Sequence, residues 1–426
     1  MKLRKLMATM MVAVLATGLL AGCGNKASET AEAPEAGVES EAGVEAPAVE
    51  GESAGAKDVT VWYYWEGEMQ QAGLDQIIQD YNSSQSTYQI TAKYVPFADF
   101  KKQLSIGASA DELPDLAILD SPDHASYANM GIFEDITDKF DVSNYFEGAV
   151  ESCKLDGVLY GVPFGVNCLS LYYNADMLEA AGITPPTTWD ELQVAATALT
   201  KDNVTGLAFC SVQNEEGTFN FMPWVWSTGA SSFELNSSGG VKALGFVGGL
   251  IESGAMSKEC MNWTQGDVMS QFSAGNIAMM VNGPWQIPPM QENAPDLNWK
   301  VTLIPKDQEF ASVLGGENYA VVKGGNTEGA LDFLKYATEK EQVEKIMEKF
   351  GYISADQNIA TTQFAEDSPY QAFVEQLKYA KPRGPHAEWP SISDAISLAF
   401  NEVMTGTATP EEAGEKAQAT IDGIIK

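Results

Sequence analysis

Trp65-Glu66-Gly67 closes the run VTVWYYW, and Trp285 follows the turn formers Asn282-Gly283-Pro284 at the end of IAMMV. Trp224 and Trp226 flank Val225 just before Ser227-Thr228-Gly229. Each of these stretches puts an indole where an apolar segment gives way to a polar loop. A ring in such a loop offers a flat apolar face to the C–H face of a sugar ring, while neighbouring Asp, Glu, Asn or Arg hydrogen-bond paired hydroxyls. With nine Trp and fifteen Tyr the chain has ample material for this. Any one of these rings serves equally well as core, and Trp62, inside the strand, reads as core.

Other chemistry lacks its parts. The sequence holds no Gly-rich phosphate loop, no G-x-S-x-G and no H-E-x-x-H. Its two histidines, His124 and His386, lie far apart and give little raw material for a triad or a metal cluster. No catalytic residue, metal site or cofactor is indicated. Carboxylates are so numerous that no glycosidase pair stands out. Cys153, Cys168, Cys210 and Cys260 include no C-x-x-C spacing, which argues against a zinc site or a redox motif and leaves disulfide pairing open.

The elements that must position these residues alternate. Val59 to Trp65 is β-branched and aromatic and predicts a buried strand. Leu74, Ile77, Ile78 and Tyr81 fall on one face of a helix. Tyr88, Ile90, Ala92 and Tyr94 alternate with polar residues as a half-buried strand. A short helix around Phe100 to Ile106 and the strand DLAILD follow. This β-α-β-α-β order predicts a parallel sheet flanked by helices, an α/β fold. Capping boxes at Thr188–Glu191 and Thr409–Glu412, the latter with Pro410 at the first helical position, start two later helices. Ala330, Phe333, Leu334 and Ala337 form another apolar stripe. In open parallel sheets, ligands collect beyond the strand C-termini.

The N-terminus bears on location. Lys2, Arg4 and Lys5 precede the uncharged run Leu6 to Leu20, which has signal-peptide length. It ends in Leu20-Ala21-Gly22-Cys23, which resembles a bacterial lipobox and implies lipidation of Cys23. Residues 1–22 thus read as a lipoprotein signal peptide. Residues 23–57 are rich in Glu, lack aromatics and read as a flexible acidic tether. The net charge of −34 sits mostly on the remainder and argues against nucleic acid as a partner.

Several blocks, in order, resemble extracellular solute-binding proteins of family 1, the carbohydrate-binding components of ABC importers related to maltose-binding protein. They are PDLAILDSPDHASYANMGIFEDIT, GVLYGVPFGVNCLSLYYNADMLEAAGITPPTTWDEL, FSAGNIAMMVNGPW and GGENYAVVKGGNTEGALDFLKYATEKEQVEKI. MTGTATPEEAGEKAQATIDGII resembles the family's C-terminal helices. The resemblance implies a type II periplasmic-binding-protein fold: two discontinuous α/β lobes joined by a hinge that the chain crosses near Phe164–Leu169, near Phe310–Leu314 and between Ile359 and Lys378. One lobe is then 58–164 plus 313–362, and the other 165–312 plus 363–426. A ligand in the cleft contacting both lobes stabilises closure. The implied ligand-binding residues are Trp65, Glu66, Asp120, Asn167, Trp226, Trp285, Gly316, Glu317, Arg383 and Trp389. At Leu119-Asp120 this chain lacks the Trp that relatives of maltose-binding protein often carry, which puts a maltose-type stacking site there in doubt.

The resemblance also implies partners and place: a carbohydrate ligand, ABC permease subunits with a cytoplasmic ATPase, and the extracytoplasmic face of the bacterial cytoplasmic membrane, reached through the lipid anchor, with the protein acting as a monomer and not as an enzyme. The same fold binding a glycerol phosphodiester, a polyamine or a peptide stays open, as do a surface glycosidase and a scaffold with no small ligand.

Overall fold

The computed structural model describes residues 55–425 apart from 111, 367 and 385. The signal peptide, Cys23 and nearly all of the tether lie outside them. The strands are β1 (Lys57–Tyr63), β2 (Tyr88–Tyr94), β3 (Leu116–Asp120), β4 (Lys154–Leu155), β5 (Val158–Leu159), β6 (Gly161–Asn167), β7 (Ser170–Asn174), β8 (Thr205–Ala208), β9 (Ile277–Asn282), β10 (Trp299–Thr302), β11 (Ser312–Val321), β12 (Ile353–Ser354) and β13 (Ala380–Pro382).

Two sheets divide the chain. The larger runs β12-β6-β11-β3-β1-β2, with β13 beside β11, and the smaller runs β10-β7-β9-β8. β1, β2 and β3 are parallel, as the alternating pattern predicts. β11, which returns from the smaller sheet, runs antiparallel to that set, and β6, antiparallel to β11, runs in the same direction as β1 to β3. The larger sheet is covered on both faces: Leu74, Ile77, Phe333 and Phe350 pack on one, Phe100, Leu104 and Tyr127 on the other. A separate core surrounds the smaller sheet. The result is a two-lobed α/β architecture, one lobe around each sheet.

Local signals explain the helices. Leu74, Ile77, Ile78 and Tyr81 are the buried face of helix Glu68–Ser84. Thr188 and Thr409 close their capping boxes with Glu191 and Glu412. β2 differs from its expected half-burial, since only Ile90 is buried. It is the edge strand, paired to β1 alone, so its other alternating residues face little cover.

Three passages link the sheets. Only Cys168 and Leu169 separate β6 from β7, and β10 leads into β11. After β12, Phe373 of helix Tyr370–Leu377 joins the core of the smaller sheet. The first two passages are tied together, because Leu169 N–H donates to Ser312 Oγ at 3.1 Å and that hydroxyl donates to the Leu169 carbonyl at 2.8 Å. The four cysteines among the described residues, Cys153, Cys168, Cys210 and Cys260, are free and buried. Among the described residues no helix is long and apolar enough to cross a membrane, and no group of His, Cys, Asp and Glu is placed to hold a metal ion.

Candidate functional site

β11 lies between β6 and β3, and its residues alternate between two surroundings. Gly315 approaches Asn167 and Phe219, whereas Leu314 meets Gly148 and Asn318 bonds Ser152. Gly316 has φ +143°, and a Cβ there would sit 2.1 Å from the Gly165 carbonyl oxygen, so only glycine fits. The register then shifts between Glu317 and Asn318. This irregular crossing presents the Glu317 carboxyl to the hydroxyls of Tyr64 and Tyr352.

Glu317 is buried, with Oε1 accepting from Tyr64 Oη at 2.8 Å and Tyr352 Oη at 2.7 Å. Its Oε2 has no partner. Burial pushes the carboxyl up to about 7, helped by the Asp120 charge and opposed by the tyrosine hydrogen bonds. The Trp65 indole lies beside the same carboxyl. Trp65 is buried, its ring 4.5 Å from Phe350 and 5.1 Å from Phe164, and its Nε1 is unpartnered. What it turns toward Glu317 is therefore its polar edge, since both neighbouring rings crowd its faces. Glu66, the next residue, is exposed.

A second network crosses between the sheets. β13 runs parallel to the start of β11 and delivers Arg383 at its end. The buried guanidinium lies 4.5 Å over the Phe219 ring. It bonds Asp120 with both oxygens, at 2.9 and 3.1 Å, and also bonds Glu215. Asp120 ends a strand of the larger sheet, while Glu215 opens helix Glu215–Ser227 beside the smaller one. Trp389 is fully buried and donates its Nε1 to Glu215 at 3.0 Å. Lys101 adds its ammonium 2.9 Å from Asp123 and 3.9 Å from Glu215. Burial raises Asp120 and lifts Asp123 to about 7 despite these cations. For Glu215, burial is outweighed by Lys101 and Arg383, and the carboxyl is lowered.

Trp285 occupies the turn after β9 and is half-buried. It packs against the cores of both lobes, with ring centroids 6.1 Å from Phe219 and 6.5 Å from Tyr352. Gly351, at φ +67°, lies against this turn: a Cβ there would be 2.5 Å from Pro284 O and Trp285 Cα. Asn167 is buried at the end of β6 with Oδ1 unpartnered. Glu216 accepts from Gln265 N–H at 2.7 Å; burial, with Glu66 among the contributing charges, pushes it up to about 7.

Trp65, Asp120, Asn167, Trp285, Gly316, Glu317, Arg383 and Trp389 thus meet in one region, and Glu66 borders it. Trp226 does not. It is buried in the core of the smaller-sheet lobe, and no side-chain hydrogen bond or ring contact links it to the others among the described residues. Sequence reasoning missed Lys101, Asp123, Glu215, Glu216, Phe219, Tyr64 and Tyr352. The one available signal for the middle of that set was Asn214 ahead of two glutamates, an N-cap with acidic residues in the first turn.

The comparisons agree with this architecture. The chain is 26% identical to a lactose-binding protein of Rhizobium radiobacter, over 71% of this chain and 76% of that one. It is 22% identical to a galactooligosaccharide-binding protein of Bacillus subtilis strain 168, over 100% and 99% of the two chains. A solved ABC transporter solute-binding protein of Thermotoga lettingae, bound with α-D-tagatose, superposes with a TM-score of 0.80 at 24% identity, covering 87% of this chain and all of that one. The family model described as bacterial extracellular solute-binding protein matches residues 76–372, and with this fold and interlobe site the chain belongs to that family.

Proposed function

We propose that this protein is a receptor that binds a carbohydrate, an oligosaccharide in the first instance, by closure of two lobes and hands it to an ABC importer. The observation that carries the reading is a buried, unpartnered acceptor, Asn167 Oδ1, together with the Trp285 ring that packs against the cores of both lobes. Such an atom costs about 1–3 kcal/mol when left without a partner. A sugar hydroxyl donates to such an acceptor, so a polyol suits it. The half-buried Trp285 ring supplies an apolar surface. The names of the lactose- and galactooligosaccharide-binding relatives support the same ligand class.

The reading is non-catalytic. Asp120 and Glu215 are held by Arg383, and Glu317 by two tyrosines, which leaves none of these carboxylates poised across a scissile bond. The lobes comprise 58–164 with 313–362 and 165–312 with 363–426. Lipidation of Cys23 and a tether would keep the receptor near its permease and raise its effective concentration there.

Thermal unfolding against a panel of mono- and oligosaccharides tests the proposal. A ligand at a hundred times its dissociation constant stabilises by about 2.7 kcal/mol, a shift of a few degrees. A shift with one sugar class that disappears in Trp285→Ala supports the receptor; silence across the panel, with a shift for a phosphodiester or peptide, overturns the ligand class.

A further inference from the structure

The turn that carries Trp285 is fixed from its own lobe. Tyr172, fully buried in the smaller-sheet core, donates its hydroxyl to the Gly283 carbonyl at 2.7 Å. The Trp285 ring folds back over Gly283, so close that a Cβ there would sit 2.0 Å from Cζ3. A turn held in this way moves with the smaller sheet.

What it meets comes from the other lobe. Helix Lys340–Phe350 joins the core of the larger sheet through Val343, Ile346, Met347 and Phe350. It ends at Gly351, in the left-handed region at φ +67° and ψ +32°, with the Gly351 N–H on the Glu348 carbonyl. A Cβ on Gly351 would lie 2.5 Å from both the Pro284 oxygen and Trp285 Cα. These are backbone atoms, which cannot swing aside as the end of a side chain can. Helix Ile287–Asn293, directly after the turn, lies against the same helix. The Tyr370 hydroxyl, from the smaller-sheet core, reaches the Glu348 carbonyl at 3.4 Å. At this helix end the two lobes touch backbone to backbone, and only a residue without a Cβ permits it.

The left-handed turn by itself does not demand this closeness. Gly182 and Gly406 end helices Ala175–Ala181 and Trp389–Thr405 at φ +67° and +75°, and a Cβ at either meets nothing within 4 Å. Among the described residues, Gly351 is the left-handed helix cap that is pressed against the opposite lobe.

Resting on the two-lobed receptor reading, we infer that Gly351 is a positioning residue for closure. It is the stop that sets how near the lobes come, and it acts through the Trp285 backbone rather than by touching ligand. A side chain there wedges the lobes apart, so the closed state that ligand binding favours is disfavoured.

Gly351→Asn tests this, with Gly182→Asn as its match, because Asn tolerates the left-handed region and the two glycines share one φ. Without ligand, Gly351→Asn is expected to shift tryptophan emission to longer wavelength and to enlarge the radius of gyration. The emission shift should vanish in a Trp285→Phe background. Calorimetric titration with lactose and with maltotriose should show the affinity of the sugar that binds falling ~10-fold or more. Gly182→Asn should match the parent in all three readouts. Gly351→Asn matching it in emission and radius, with only the melting temperature lowered, would overturn the inference. An opened cleft with undiminished affinity would overturn the link to binding. Silence of the parent toward both sugars would count against the receptor reading for those sugars, while emission and radius would still decide on Gly351.

Discussion

Arg383 holds Asp120 through two parallel hydrogen bonds, Nη2 to Oδ1 at 2.9 Å and Nη1 to Oδ2 at 3.1 Å, across 263 residues of chain. The same guanidinium bonds Glu215, so one side chain joins a strand end of the larger sheet to a helix start beside the smaller one. The fork geometry fixes orientation as well as charge. Opening the lobes has to part at least one of these contacts.

Arg383→Ala is expected to leave the ligand-free chain more open, seen as a larger radius of gyration in small-angle scattering. Separation lets Asp120 and Glu215 hydrate. Were the contact ordinary core structure, the substitution would strand two buried charges, cost about 3–5 kcal/mol and leave the radius unchanged. Arg383→Lys keeps the charge but loses the fork, and should also open the cleft.

Two tryptophans should behave differently. Trp65 is buried between Phe164 and Phe350, and its replacement by Ala is expected to cost about 3–5 kcal/mol of stability, read by denaturant unfolding. Trp285 is half-buried at the lobe boundary, so Trp285→Ala should cost less stability and weaken ligand binding by ~10-fold or more. Equal stability losses with unchanged binding would contradict the placement of Trp285 at the site.

The ligand-free protein should lose stability as pH rises. Glu216, Glu317 and Asp123 are each raised to about 7, chiefly by burial. A carboxyl that holds its proton more tightly in the folded state contributes stability that is complete below its unfolded value near 4 and fades as pH climbs through about 7. Melting curves between pH 4.5 and 8 should fall across that window, and Glu317→Gln should flatten part of the fall. A slope identical to that of the parent would remove Glu317 from the account.

Native thiols should be silent. Cys153, Cys168, Cys210 and Cys260 are free and buried, and burial raises each thiol above its ordinary value. A thiol reagent should react with them only after denaturation, and a reductant should leave the melting temperature unchanged. A drop on reduction would reveal a disulfide.

Elements written in local sequence were legible. The helix from Glu68 to Ser84 announces itself because its buried residues recur at one angle, and the two capping boxes because their partners lie three residues apart. Helix Glu215–Ser227 was not, for it is buried on nearly every side and contains Pro223, so no polar stripe marks its period. That is why Trp226, picked out as a ligand contact for its place before a turn, lies in the interior instead. The charged knot was illegible for another reason. Glu215 meets Arg383 168 residues away and Trp389 174 residues away, and nothing in the spacing of either partner points to the other. The resemblance to the family supplied Arg383, Asp120 and Trp389, but not the carboxylate that joins them.

Trp285 has an optical consequence. Its indole is packed against both cores and partly open to solvent, whereas Trp224 and Trp389 are wholly enclosed within one lobe. Emission from the enclosed rings should stay constant as the lobes move, while that of Trp285 should shift in wavelength with every change in their separation. The protein therefore carries its own fluorescent gauge of occupancy, readable in a stopped-flow instrument without any added dye.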